Sequence, residues 1–382
     1  MGSTSRAGLS LLSVLIVATA ATAPAQTVWI VDASNGPGAN FTNLPAAYAA
    51  AAPGDVVMMR PGNYWTGVPF LMSKGITIVG LDPRPNLSDL MIANLPVDQR
   101  LVLANCNVGP GQVYVGECRG LVVLDSLAFG TTGGGAGGCE ALVMSHCDRA
   151  PYGFGIVGGS RAFLSATHWE EYGTWPHYEA GAILEIYESD VHLLDTYAHG
   201  TLRSFPGELG CLLAVPGISG IRSRLAIGQG CQIIPGPDET WPSCPPSYGC
   251  GVSAYGSVVL VDPSSQVHSC SPVSSFPITA ISWGQTGPGQ IATTLHAAPN
   301  SLAILCESLP VPYTWATSAG DLWLDPFSFQ VVSVGPVNAQ GFRQDVVLID
   351  PTLLPGNVTT LQAVVLDANG ITLSEPAFAV TR

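Results

Sequence analysis

Histidines, carboxylates and aromatic side chains concentrate in one short segment of the chain, residues 168–203. This segment holds four of the seven histidines and seven of the 27 acidic residues, interleaved with six Trp and Tyr side chains. Imidazoles and carboxylates together can move protons or bind a cation, and aromatic rings can stack on sugar rings. A polysaccharide-binding groove is therefore one interpretation of this segment.

Within this segment, over residues 188–193, ionisable side chains alternate with Ser189, Val191 and Leu193. Alternate residues of a strand share a face, so Glu188, Asp190 and His192 are expected to project together on the outer surface. The candidate catalytic residues are His168, Glu188, Asp190, His192 and Arg203. Glu188 and Asp190 are also the candidate ligands of a calcium ion, the cofactor compatible with this site. A solvated polar wall without a ligand is the alternative interpretation.

Four aromatic residues begin the same segment and are the candidates for stacking on sugar rings: Trp169, Tyr172, Trp175 and Tyr178. They lie in residues 167–180, which we expect to form a long loop beside the groove. Packing of these rings among themselves is the alternative.

Short apolar runs recur along the chain and must supply the strands that position these residues. From Val102 the steps lead to Val122, Leu142, Phe163 and Ile183, about 20 residues each, with turn-forming residues between them. No run is followed by a helix-length amphipathic segment, which disfavours alternating strands and helices. The pattern predicts an all-β chain wound into a right-handed parallel β-helix with coils of about 20 residues; a β-sandwich is the alternative.

The cysteines repeat at a similar spacing. Cys211, Cys231, Cys250 and Cys270 follow one another at nearly equal intervals, close to the predicted coil length, and Cys118 precedes Cys139 by a similar interval. Neighbouring coils of a solenoid lie ~4.8 Å apart, within reach of a disulfide. We expect bridges between neighbouring coils or within loops; buried free thiols are the alternative.

The N-terminal part carries a family resemblance. A loop runs into a short apolar segment, residues 44–51, that Asn43 or Thr42 can cap and Pro45 can start. The stretches Pro53–Val57, Arg60–Tyr64 and Gly75–Gly80 follow. This order resembles the opening coils of the pectin-lyase-like superfamily of right-handed parallel β-helices, with an N-terminal capping helix. The resemblance covers about residues 27–80, with looser support to about 285, and implies fold more strongly than activity.

The site patterns that this family's enzymes carry are not found here. No match occurs to the Gly-x-x-Asp-Phe motif of pectinesterases or to the Asp pair and Gly-His-Gly of polygalacturonases. A pectate-lyase-type base would have to be an arginine, since Lys74 is the one lysine of the chain. The expected function is therefore a non-catalytic surface, adhesion or polysaccharide-binding protein. A polysaccharide lyase or related carbohydrate-active enzyme, with its groove near residues 168–203, is the alternative.

The two terminal regions of the chain predict its cellular location and its domain organisation. Residues 1–25 resemble a signal peptide, with Arg6, an apolar stretch and a small-x-small cleavage site, so we expect a secreted or cell-surface protein without a membrane span. A formal net charge of −14 makes nucleic acid an unexpected partner. Residues 26–287 are assigned to the β-helix, 284–289 to a linker, and 288–382 to a small β-sandwich-like module whose role is either sorting or capping of the β-helix end.

Overall fold

The computed structural model describes residues 26–109, 112–130, 134–148, 153–170, 182–200, 202–204, 212–214, 216–236, 250–275, 278–287, 289–348 and 356–381. The predicted signal peptide lies outside these residues. The described part of the chain is almost entirely β-structure, with one short helix. None of its helices has the length and apolar character needed to cross a membrane.

Three parallel sheets form the walls of a β-helix, and each coil passes through sheets A, B and C in turn. Sheet A contains the strands Val28–Val31, Val56–Met59, Thr77–Gly80, Arg100–Ala104, Leu121–Asp125, Ala141–Ser145, Arg161–Ser165, Asp190–Leu194, Arg224–Ile227, Val258–Val261 and Ser274–Ser275. Sheet B contains Asn63–Tyr64, Asn86–Leu87, Asn107–Val108, Ala128–Phe129, His168–Glu170, Tyr197–His199, Gln232–Ile234 and Gln266–Val267. Sheet C contains Phe70–Met72, Leu90–Ala93, Val113–Gly116, Gly134–Gly137, Phe154–Val157, Leu184–Tyr187, Ile218–Ile221 and Val252–Tyr255. The predicted parallel β-helix is confirmed.

Residues in the left-handed backbone region recur at two corners of the coils. One follows sheet A, at Asn105, Ser126, His146, Ala166 and Asp195, with φ between 47° and 54°. The other follows sheet C, at Asn94, Glu117, Gly138, Gly158, Glu188, Arg222 and Gly256. A single left-handed residue turns the chain sharply, and its recurrence stacks the corners of successive coils.

The N-terminal helix, Leu44–Ala50, forms as predicted. The Asn43 side chain accepts a hydrogen bond from the Ala46 amide at 2.9 Å, and Pro45 lies in the first turn. Leu44 and Ala47 are buried in the core of the β-helix. The helix therefore packs apolar side chains against the first coil.

Replacing this cap tests the contribution of the helix. We expect Asn43→Ala to lower the free energy of unfolding by about 1 kcal/mol, because one backbone amide loses its acceptor. Asn43→Asp keeps an acceptor and serves as the control. Chemical denaturation of both variants measures the difference; equal losses would show that the cap contributes nothing.

The C-terminal module contains two antiparallel sheets and a hairpin. One sheet holds Ala280–Gly287, Gln290–His296 and Phe342–Leu348; the other holds Leu302–Ser308, Gln330–Pro336, Val358–Asp367, Gly370–Leu373 and Ala377–Val380; the hairpin joins Pro310–Thr317 to Gly320–Leu324. The predicted β-module is present, but Ala280–Gly287 belongs to it, so it begins earlier than the expected boundary at residue 288. Residues 284–287, which were assigned to the linker, end a strand that pairs with Gln290–His296.

The module packs against the outer face of sheet A. Val102, Val123, Val143 and Phe163 point outward from this sheet and are buried together with Trp323, Phe378 and Val380 of the module. Leu101, Val122, Leu142 and Leu164 point inward, into the core of the β-helix. Sheet A is therefore covered on both sides at these strands, and the module lies along the flank of the β-helix.

The coils lengthen in the second half of the β-helix. Val122 pairs with Leu142 in the first half, whereas Ala162 pairs with Val191 and Val191 with Leu225 in the second, so the later coils contain many more residues. Ile183 therefore does not continue the repeat of sheet A; it precedes a strand of sheet C, and His192 is the partner of Phe163. The added residues lie between sheets B and C in three successive coils.

The cysteine spacing matches this geometry only in part. Cys250 and Cys270 form a disulfide, with Cα atoms 5.5 Å apart. Cys231 is a buried free thiol, so its predicted bridge is wrong, and Cys118, Cys139 and Cys147 are buried free thiols too. Since the coils in this part of the β-helix are longer than the interval between the cysteines, that interval does not measure one coil. Cys211 lies outside the described residues.

Candidate functional site

The predicted cluster is divided between two different walls of the β-helix. Asp190 and His192 lie on the outer face of sheet A, and His168 lies on the outer face of sheet B. The two groups consequently occupy different chemical environments, one under the C-terminal module and one beside the long insertions.

On sheet A, His192 joins the β-helix to the module. Its Nε2 lies 3.2 Å from Asp190 Oδ1, as the alternation of the strand predicts, and its Nδ1 lies 3.1 Å from Glu375 Oε1 of the module. The second contact brings the charges together without the alignment of a hydrogen bond. The imidazole is also stacked on Phe163, with ring centroids 5.0 Å apart, and its side chain is 10% exposed.

The charges around His192 balance one another. Burial lowers the pKa of His192, but the Glu375 and Asp190 carboxylates outweigh that effect and raise it to about 9. The pKa of Asp190 falls despite its burial, because His192, Arg224 and Arg161 face it. Arg161 also lies 3.1 Å from Asp321 of the module. This cluster is an ion-pair network that holds two domains together, and its groups already neutralise one another.

Glu188 is placed apart from this network. It occupies the left-handed corner before the strand, with φ 49°, and lies 2.6 Å from Arg222. The strand alternation therefore starts at Asp190, and Glu188 and Asp190 face different guanidinium groups. In the described ranges no three His, Cys, Asp or Glu side chains are arranged to hold a metal ion. Calcium binding by these two carboxylates stays a prediction.

On sheet B, four side chains form an accessible polar and aromatic surface, which we call the His–Glu face: His168, Glu170, Tyr197 and His199. One carboxylate oxygen of Glu170 lies 3.2 Å from His168 Nε2 and the other 3.5 Å from His199 Nδ1. The His168 and Tyr197 rings stack with centroids 4.5 Å apart. Burial and the Glu170 charge raise the pKa of Tyr197, which keeps its hydroxyl protonated.

The His–Glu face lies where the coils are longest. Its strands, His168–Glu170 and Tyr197–His199, are the last before two of the three insertions. An antiparallel hairpin of Leu202–Ser204 with Leu212–Ala214 belongs to the second insertion. Arg203 lies in this hairpin, but its side chain is outside the described residues, as are Tyr172, Trp175 and Tyr178.

Trp169 does not belong to this accessible surface. Its side chain is 1% exposed and points into the β-helix, where it packs against Phe129 and Phe154 and donates a hydrogen bond to Thr167 Oγ1 at 2.9 Å. The prediction that Trp169 stacks on sugar is therefore wrong. As the middle residue of the strand His168–Glu170, it must face inward when its two neighbours face outward.

Glu170, Tyr197 and His199 were not among the predicted site residues, although all three lie in residues 168–203. The available signal was the alternation within each strand, since His168 and Glu170, and Tyr197 and His199, each flank an apolar residue. The pairing of these two strands was not visible in a repeat of fixed length, because the coil that separates them carries an insertion.

No protein-family model matches the chain, and no curated protein matches it. Among solved structures, pectate lyase Pel9A is 10% identical to this chain, with a TM-score of 0.31, over 65% of this chain and 79% of the enzyme. The receptor-binding tailspike of bacteriophage Det7 is 9% identical, with a TM-score of 0.14, over 94% and 98% of the two chains. These identities and TM-scores are too low to support any statement about activity. The parallel pairing of the strands identifies the fold as a parallel β-helix, as the family resemblance implied.

Proposed function

We propose that this protein is a non-catalytic polysaccharide-binding protein that works outside the cytoplasm and holds its ligand on the His–Glu face. The observation that carries this proposal is the accessible stack of His168 on Tyr197 above the doubly contacted Glu170. A role in surface architecture or adhesion follows if the bound glycan is part of a cell surface. The Cys250–Cys270 disulfide supports an oxidising location.

The face combines the two kinds of contact that sugars need. The flat rings of His168 and Tyr197 can pack on the C–H face of a sugar ring, while the Glu170 carboxylate and the Tyr197 hydroxyl can bond its hydroxyl groups. The side chain of His168 is 44% exposed and that of His199 is 31% exposed, so a glycan can reach both. By contrast, Asp190 and His192 are engaged with the module and support no binding role.

A polysaccharide lyase or related enzyme is the second candidate, and one observation favours it. Each carboxylate oxygen of Glu170 lies beside an imidazole. Glu170 can therefore accept a proton from one atom of a substrate while a neighbouring histidine donates a proton to another atom. Cleavage would appear as new reducing or unsaturated ends.

A single binding assay distinguishes these functions. The intact protein is incubated with pectin, alginate and neutral glycans, with and without Ca²⁺, and both binding and new chain ends are measured. We expect binding without cleavage. We expect Tyr197→Ala to weaken binding about tenfold, since a stacked ring contributes about 1 kcal/mol beyond its buried area.

Trp65→Ala is the matched control, because Trp65 is a 60% exposed aromatic residue far along the chain from this face. Loss of binding in both variants would contradict the proposed location. New chain ends that disappear in Glu170→Gln would replace the binding function with the enzymatic one, since general acid–base groups contribute about a hundredfold or more to rate. Absence of binding to every glycan would refute both.

A further inference from the structure

The outer face of sheet C carries a second surface with exposed side chains, which we call the tyrosine–glycine face. The pairing of the strands places two rows of residues on its outer side. One row contains Leu71, Met91, Tyr114, Gly135, Gly155, Glu185, Ser219 and Ser253. The other row contains Ala93, Gly116, Gly137, Val157, Tyr187, Ile221 and Tyr255. Seven of these side chains are large, apolar or aromatic, and exposed to solvent: Leu71, Met91, Tyr114, Val157, Tyr187, Ile221 and Tyr255. An exposed apolar stripe of this extent marks a binding surface.

Glycines make the middle of this face a shallow floor. A β-carbon added at Gly116 would lie 3.0 Å from Tyr114 Cε1, and one added at Gly137 would lie 3.6 Å from the Tyr114 hydroxyl oxygen. The Tyr114 ring therefore lies along the sheet, over its own strand and toward the next, and it is 46% exposed. The floor continues to Gly155, where an added β-carbon would meet no atom within 4 Å.

Two further tyrosines follow across the coils. The Tyr187 ring has the Arg222 guanidinium carbon 4.8 Å from its centroid, and the ion pair between Arg222 and Glu188 holds that guanidinium in place. Tyr255 is 80% exposed. Tyr114 and Tyr255 are five coils apart, which is ~24 Å at the usual strand spacing. The face is thus long and narrow, with an aromatic ring near each end and one between them.

These dimensions distinguish an extended ligand from a second protein molecule. Eight strands of three or four residues cover roughly 34 Å by 13 Å, or about 450 Å². A stable protein–protein interface buries about 800 Å² on each partner, so this face alone is too small for one. A single polymer chain matches its length and width.

The charged groups on and beside the tyrosine–glycine face indicate which kind of polymer it can bind. Glu185 is the one ionisable side chain within the two rows apart from the tyrosines, and Arg222 and Glu188 at the adjacent corner neutralise each other. The whole chain carries a formal net charge of −14, which repels polyanions at long range. A neutral polymer with flat apolar surfaces fits these conditions.

We propose that the tyrosine–glycine face binds one extended chain of a neutral polysaccharide, which lies across the coils with sugar rings stacked on Tyr114, Tyr187 and Tyr255. The glycine floor lets the chain approach the sheet between the rings. This site is separate from the His–Glu face and does not depend on it.

The test introduces a side chain into the floor and leaves existing contacts intact. Gly155→Gln places a side chain in open space above the sheet, and Gly284→Gln in the C-terminal module does the same at a position that also has no atom within 4 Å. The intact protein and each variant are run in native gels containing hydroxyethylcellulose, arabinoxylan or polygalacturonate, and retardation gives the dissociation constants.

We expect at least one neutral glycan to retard the wild-type protein, and Gly155→Gln and Tyr187→Ala each to raise its dissociation constant about tenfold. Gly284→Gln should leave that constant unchanged. Unaltered binding in Gly155→Gln, or no retardation by either neutral glycan, would overturn the proposal. Loss confined to Tyr197→Ala would assign binding of the neutral glycan to the His–Glu face and refute this second site. The His–Glu face is tested separately, with the glycan whose binding depends on Tyr197.

Discussion

Raising the pH of the intact protein from about 6 to about 10 is expected to remove about 3 kcal/mol of its stability through His192 alone. The loss should appear as weaker attachment of the C-terminal module, because the charged imidazole lies between Asp190 of the β-helix and Glu375 of the module. The effect has this size because the contact is buried and screened little by water.

The direction follows from the two pKa values of this histidine. Its pKa is about 9 in the folded protein and about 6.5 in an unfolded chain, so the folded state holds the proton more tightly. The stabilisation is complete below about pH 6.5 and is lost as the pH rises through 9. Arg161, Arg224 and Asp321 also lie around Asp190 or at the module edge, where they pair with one another or with Asp190.

Chemical denaturation of the wild-type protein and of His192→Gln at both pH values measures the effect. Subtracting the change seen in His192→Gln removes contributions from other groups, such as the buried cysteines. His168→Gln is the control, since His168 contacts a carboxylate on the exposed His–Glu face and not the Glu375 carboxylate of the module. Equal pH dependence in wild type and His192→Gln would show that the imidazole does not link the domains.

The sequence was sufficient to predict the β-helix because its signal is local. Apolar runs such as Leu121–Leu124 and Leu142–Met144 recur at one coil length, and the corners between them accept left-handed residues such as Asn105. The same rule failed after Phe163, where the next coil carries an insertion. An insertion changes the period without changing the strands, so a fixed spacing selected Ile183 where the register selects His192.

The candidate site was harder to predict, because its environment depends on contacts distant in sequence. Alternation correctly placed Asp190 and His192 on one outer face, but it could not reveal that Glu375, close to the C-terminal end of the chain, covers them. The sequence did contain a signal that the module covers sheet A. The run Leu121-Val122-Val123-Leu124 is apolar on both faces of its strand. A wall open to solvent on its outer side has no reason to be apolar there, so such a run indicates a sheet buried on both sides.

The same burial makes Trp323 a sensitive position of the domain contact. We expect Trp323→Ala to lower the free energy of unfolding by about 3–5 kcal/mol, because the indole is 2% exposed and fills the space between the wall and the module. Its ring centroid lies 4.9 Å from that of Phe163 on the wall and 5.9 Å from that of Phe378 in the module. Removing it leaves a cavity that neither sheet can close.

Phe327→Ala is the matched control, an aromatic residue of the same module that is 80% exposed. Its replacement should change stability by less than about 0.5 kcal/mol. Calorimetry should show an earlier transition for the module in Trp323→Ala, together with binding of a hydrophobic dye to the newly exposed wall at Val102, Val123 and Val143. If Trp323→Ala melts like Phe327→Ala and binds no dye, the module does not shield this wall, and the outer face of sheet A becomes available as a ligand surface after all.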